Sequence, residues 1–474
     1  MLRVAVTLAL AASALLAQAP TPGPLVRLYP VALDANGQPV TDLTADDFKI
    51  VDQTKPETIL FFHDPKHQVA APHDVLEFSN RPAGATPHAV VILFDLINLV
   101  DADRQENWKA LDKALPQLET GENVYFYVLN LEGTLLPIHP MGPPAADDKT
   151  WPQNVATAFD KAMKASSHVR PVQIGAEEQQ KRTFKALEDL GNSLANFPGR
   201  RDILWIANGL TTVNDPKLIG CTGDWVECAL YVPHLEVTLA NAGVTVNPYA
   251  LIGSIGPDVN YNMDQMALLT GGHFYSRQDV KTVVNQVVQD AVNTYTVLYD
   301  PGPDNWNNKW HHLHVTCERK GVKLQLRERY YAVGDSRPPL ERTKAALMAA
   351  FQRPTDLAEI GLSTKISPLP DGKKGVHLEI RIDPSDLLLR RQDAGKYLGA
   401  VYCLVSNRSA TAPLGEPTVL DLHPELTADQ YKMVMKDGLP LTQDHTITDA
   451  TQEVRVIILD QNTNSVGSVT FPVK

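Results

Sequence analysis

In the stretch HAVVILFDLINLV, His88 to Val100, six apolar residues from Ala89 to Phe94 run straight into Asp95. A carboxylate at the end of a buried strand can hold a metal ion, hold the loop or helix that follows, or hold nothing. Asn98 follows three residues later, and a second strand-like run, DILWIANGL, contains Asn208. The amide oxygen of Asn208 is a further ligand candidate, although its place before Gly209 equally suits a plain turn. His312 and His314 in WHHLH stand two apart on one face of a strand, within reach of a single metal. No third ligand lies near them in sequence, and an alternating strand with its polar face outward explains them without metal. Cys221 and Cys228, seven apart in CTGDWVEC, form the candidate disulfide, and the ring they close would present Trp225 as a candidate partner anchor. Cys317 and Cys403 lie in separate apolar runs and read as small buried thiols.

Catalytic signals are weak. The chain has no G-x-S-x-G, H-E-x-x-H or G-x-x-x-x-G-K-[ST] motif. Nothing sets a nucleophile or base beside Asp95, so no enzyme activity is expected. The alternatives are a metal-dependent hydrolase on Asp95, Asp101 and Asn208 or on the histidines, and a purely structural envelope protein. The acidic run Asp101, Asp103 and Glu106 reads instead as the start of a helix, where the helix dipole favours negative charge.

The elements that must position these residues belong to a chain of 474 residues with a formal net charge of −12. That length suggests about three domains at ~150 residues each. No run of basic residues is longer than a pair such as Arg200–Arg201 or Lys373–Lys374, which argues against nucleic acid or an anionic membrane as the partner. At the start, Arg3, an apolar run from Val4 to Leu16 and small residues ending in Ala17-Gln18-Ala19 read as a signal peptide over 1–19. No later apolar run is long enough to span a membrane. The expected location is therefore exported: periplasmic, cell-surface or extracellular.

Residues 25–64 read as short strands around an Asn36-Gly37 turn, and strand patterns return over 293–332. Neither set can build a core alone, so the two are expected to complete one discontinuous β-sandwich. Between them, 88–292 alternates buried strands (89–94, 123–129, 134–138, 202–207, 244–250) with amphipathic helices near 103–117, 153–166, 177–196, 231–242, 260–269 and 278–292. Such a rhythm indicates a doubly wound α/β sheet. Residues 337–370 read as linker and helix, and 371–474 as an independent C-terminal β-sandwich with one short helix capped by Thr427 and Gln430.

Several pieces, in this order and spacing, resemble the von Willebrand factor A-related proteins of the acidobacterial type. They are LDANGQPVTDLTADDFKIVD, VVILFDLINLV, FPGRRDILWIANGL, LLTGGHFY, and NTYTVLYDPG through RYYA. The resemblance covers about 25–332 and implies a fold of α/β plus all-β class. In it a von Willebrand A-type doubly wound sheet is inserted in a β-sandwich, with a C-terminal β-sandwich following. It also implies a protein-protein interaction or adhesion module whose partner is a protein or other envelope macromolecule. In that family Mg²⁺ or Mn²⁺ is held by an Asp-x-Ser-x-Ser motif after the first strand, a Thr from a later loop and an Asp after the fourth strand. Here Asp95 matches the first Asp, but Ile97 and Leu99 fill the serine positions and Asn208 replaces the later Asp. Asn98 points away from 95, 97 and 99 if the segment stays extended, and Thr183 is a loose match inside a predicted helix. The implied metal site is thus degenerate, and the expected cofactor is none, or Mg²⁺ or Mn²⁺ held weakly.

Overall fold

A computed structural model gives the fold. It describes residues 25–65, 77–81, 88–99, 101–115, 124–141, 151–167, 175–194, 197, 199–209, 235, 238–239, 242–250, 257–333, 337–353, 356–369, 374–392, 395–409 and 412–473. The chain is mixed α/β with many antiparallel sheets. The signal segment, Cys221, Trp225, Cys228 and most of the helix expected at 231–242 lie outside the described residues.

Strands β1 (Val26–Leu28), β2 (Val31–Leu33), β3 (Phe48–Asp52), β4 (Lys55–Glu57) and β5 (Ile59–His63) come first, followed by β6 (Glu77–Ser79). Next come β7 (His88–Asp95), β8 (Val124–Leu129), β9 (Leu135–His139), β10 (Arg200–Ile206), β11 (Val244–Ala250) and β12 (Tyr275–Ser276). These six form one sheet in the order β12-β11-β10-β7-β8-β9. Its neighbours are parallel except for β8 and β9.

All eight residues of β7 are buried because both faces of the strand are covered. Val90, Ile92 and Phe94 pack with Leu111, Phe159 and Val284 from the helices Asp101–Ala114, Trp151–Ser167 and Val280–Val292. Ala89, Val91 and Leu93 face the opposite core, with Leu187 and Leu190 of the helix Ala176–Leu194 and Met263 and Met266 of the helix Pro257–Thr270. Burial on both sides removes the polar alternation that a half-exposed strand shows. From β7 the sheet grows to β8 on one side and β10 on the other. The carboxyl ends of β7 and β10 therefore flank a switch point, where open α/β sheets form their crevice.

The strand expected to begin at 202 begins at Arg200, and both arginines are buried. Arg200 forks onto both oxygens of Asp202, two residues on and on the same face, at 2.9 Å. Asn247 also donates to Asp202 at 2.7 Å. Arg201 donates instead to the carbonyls of Phe197 and Ala242 at 2.5 and 2.7 Å. With these partners two cations can be lodged inside the fold, which a sequence pattern reads as a surface pair.

Strands β13 (Thr296–Tyr299), β14 (Trp310–Cys317), β15 (Lys323–Gln325) and β16 (Arg329–Tyr331) return to the first strands, giving the orders β1-β13-β5, β16-β14-β3-β4 and β15-β2. Val26, Leu28, Ile50, Val297 and Leu313 fill the space between. Inside this apolar setting lies Asp52. Its Oδ2 accepts from the hydroxyls of Tyr299 and Tyr330 at 3.0 and 2.7 Å, and its Oδ1 lies 2.9 Å from His311 Nδ1. Burial, together with the nearby Asp52 carboxylate, pushes both tyrosines well above the usual phenol range. His311 faces inward, whereas His312 and His314 are exposed on the outer face of β14.

The C-terminal sandwich differs from its expected limits. It starts at Leu362, inside the stretch read as linker, and its sheet Leu439–Thr446, Gly375–Ile382, Leu362–Pro368 ends on β6. A three-residue strand has no periodicity to read, yet Phe78 stacks on Phe471 at 5.4 Å. Beyond β6, buried Arg81 donates to the carbonyls of Ala358 and Glu359 at 2.8 and 2.9 Å and pairs with Asp386 at 2.8 Å. The sandwich is therefore not independent of the chain before β7. The helix Pro339–Gln352 is present, and the short helix Ala428–Asp437 carries the Thr427/Gln430 capping box. Cys403 is buried and its thiol is pushed up to about 12 by burial, while Cys317 is only half-buried.

Removing the Asp52 carboxylate leaves three donors facing apolar surroundings. Asp52→Ala is expected to lower the unfolding free energy by about 3–5 kcal/mol, and Tyr330→Phe by about 1 kcal/mol. Urea unfolding is the check, and an Asp52→Ala loss as small as that of Tyr330→Phe would contradict the role given to the carboxylate.

Candidate functional site

β7 ends at Asp95, and residues 96–99 bend at once instead of continuing the strand. That turn reverses the direction expected for Asn98. Asp95 Oδ1 accepts from the backbone N–H groups of Ile97 and Asn98 at 2.8 and 3.1 Å, which folds the loop around the carboxylate. Its Oδ2 accepts from Asn98 Nδ2 at 2.6 Å and from the indole Nε1 of Trp205 at 2.9 Å. Asp95 is wholly buried, and burial raises its pKa above the usual carboxylate value against the pull of these donors. Ile97 and Leu99, at the serine positions, are buried in the two opposite cores of the sheet.

Thr183 lies inside the helix Ala176–Leu194, as its sequence context indicates, and is fully buried. Its Oγ1 accepts from the same Asn98 Nδ2 at 2.7 Å. One amide nitrogen therefore bridges Asp95 and Thr183. Asn208, just past the end of β10, donates its backbone N–H to the carbonyl of Asn98 at 3.1 Å and its side-chain amide to the Asp103 carboxylate. Its Oδ1 is buried and has no partner among the described residues. All four residues singled out in the sequence thus meet in one cluster.

Two members were missed. Asp103 was placed as a helix-start residue, yet from the helix Asp101–Ala114 it reaches across to Asn208. Trp205 sits in the fully buried strand β10, and a buried indole N–H needs an acceptor. That need was the only sequence signal that it would find the carboxylate at the end of the neighbouring strand.

The arrangement does not fit a hard cation. Mg²⁺ demands near-octahedral oxygen ligation, but both Asp95 oxygens already accept N–H donors. The space between Asp95 and Thr183 is taken by a nitrogen carrying protons, and Ile97 and Leu99 beside it are buried and apolar, with no oxygen to offer. Among the described residues, no group of three or more His, Cys, Asp or Glu side chains could hold a metal. Among the described residues, the polar partners of Asp95, Asn98, Thr183 and Asn208 include no serine, cysteine or histidine.

No family model and no curated protein matches this chain. Among solved structures, the human COPII-coat protein Sec24c matches with 12% sequence identity and a TM-score of 0.26. The match covers 56% of this chain and 48%, about half, of that protein. At that TM-score the likeness carries no argument.

Asp95→Asn keeps the size of the side chain but turns a donor toward the Asn98 amide and the Trp205 indole. It is expected to cost about 2–3 kcal/mol at neutral pH. Because the folded protein holds the Asp95 proton more tightly than the unfolded chain, protonation favours the fold. Wild type should gain stability relative to Asp95→Asn as pH falls from the raised folded pKa toward the unfolded value near 3.8, and the difference should be flat above that window. Thermal or urea unfolding of both proteins across pH is the measurement, and a difference that grows with rising pH would contradict the account.

Proposed function

We propose that this chain is an exported interaction module of the von Willebrand factor A-related kind. In this reading a von Willebrand A-type sheet is set within a β-sandwich, and the module holds a protein or other envelope macromolecule without a metal ion. The observation that carries the reading is the Asn98 amide bridging Asp95 and Thr183. The two oxygen groups that would hold a cation in this family are instead joined by a donor from the chain itself. What remains open at the crevice is rich in acceptors. Asp103 and Asn98 are half-buried, so their polar atoms stay within reach of a partner's donors.

Support for export comes from the sequence of residues 1–19. No helix among the described residues is long and apolar enough to cross a membrane.

Affinity capture from envelope extracts with the full chain tests the reading. The same partner is expected with and without chelator, and Asp103→Ala or Asn208→Ala should weaken its retention at least tenfold while leaving the melting temperature nearly unchanged. Release of the partner by chelator would contradict metal-independent binding.

A further inference from the structure

At the end of β10 opposite to Asn208, the first sandwich, the α/β sheet and the C-terminal sandwich line a partly open cavity. The strand separates the two places by about 20 Å, at roughly 3.3 Å per residue. The cavity has ≈ 70 Å³ of free space, whereas a single water needs roughly 10–15 Å³ on a comparable measure. Four arginines line it: Arg27 of β1, Arg81 after β6, and Arg200 and Arg201 of β10.

Their donors are not all matched. Arg27 and Arg201 turn toward one carboxylate, Glu359, at 3.0 and 4.0 Å. Arg27 also donates to Ser465 at 2.5 Å and to the hydroxyl of Tyr29. The Nε and Nη1 of Arg201 are held by backbone carbonyls, which leaves its Nη2 facing Glu359 beyond hydrogen-bond distance. Arg200 is pinned to Asp202 by Nε and Nη2, and its buried Nη1 has no acceptor among the described residues. Arg81 is matched by Asp386 at 2.8 Å and Asp383 at 3.8 Å. Asp64 is the other carboxylate on the wall. Around Glu359, then, two cations share one anion.

We propose that this cavity binds a small tetrahedral oxyanion of the phosphate class, held chiefly by Arg27 and Arg201. The chemistry is that of planar guanidinium forks, which match phosphate oxygens with paired N–H donors. The free space is enough for one such anion. Because the walls come from all three units, the bound anion would tie them together and stabilise the full chain by mass action.

The test is inorganic phosphate titrated into the full chain, read by thermal unfolding and calorimetry, with chloride at matched ionic strength as control. A saturable rise in the melting temperature specific to phosphate is expected. Glu359→Gln removes the competing carboxylate and should tighten phosphate binding several-fold. Arg201→Lys keeps the positive charge but loses the fork, and should weaken binding about tenfold. A response no larger than that to chloride, which is the result if the cavity holds only water, overturns the proposal. So does phosphate binding that either folded variant leaves unchanged.

Discussion

The cluster at the crevice follows from one constraint: a carboxylate at the end of a strand buried on both faces has no water to solvate it. β7 is covered by helices on either side, so Asp95 must find its hydrogen bonds within the protein or carry a large desolvation cost. Four N–H groups meet that demand. Two come from the backbone of the following loop, one from a neighbouring strand and one from the Asn98 amide. Meeting it fixes the path of residues 96–99, and that path carries Ile97 and Leu99 into opposite cores. The same loop presents the Asn98 carbonyl to Asn208 and so joins the ends of β7 and β10.

Similar matching of buried charge recurs where distant parts of the chain meet. Asp52 joins a strand near the start to tyrosines and a histidine 247 to 278 residues later. Arg81 joins the segment before the α/β sheet to the C-terminal sandwich. In each case several hydrogen bonds converge on one charged group, which makes the junction specific as well as stable. Removing one partner should therefore cost more than removing a single contact from a purely apolar seam.

Much of this fold was legible in the sequence because it depends on local pattern. The apolar run before Asp95, the amphipathic helices and the capping box at Thr427 all carry their signal within a few residues. The shortness of the strand sets at 25–64 and 293–332 signalled that each needed a partner. What escaped reading depends on contacts that local pattern does not encode. β6 has only three residues, and its pairing partner lies beyond residue 360. Arg200 and Arg201 look like surface charge until Asp202 and the backbone carbonyls are seen around them. Asp95, Asn98, Thr183 and Asn208 were identifiable as a set. The orientation of Asn98 is not legible there, because an extended segment would point it away whereas the carboxylate itself forces a turn. Asp103 and Trp205 join the cluster across the gap between elements, where sequence spacing is silent.

The most direct test of the central claim follows the side-chain amide of Asn98 by nuclear magnetic resonance during titration with Mn²⁺, a paramagnetic ion that broadens nearby signals. If the amide bridges Asp95 and Thr183 in place of a cation, its two N–H resonances should be shifted by hydrogen bonding, exchange slowly, and stay sharp well into the millimolar range of Mn²⁺. Selective loss of those resonances at micromolar Mn²⁺, abolished by Asp95→Asn, would show that the site takes a metal and that the account is wrong.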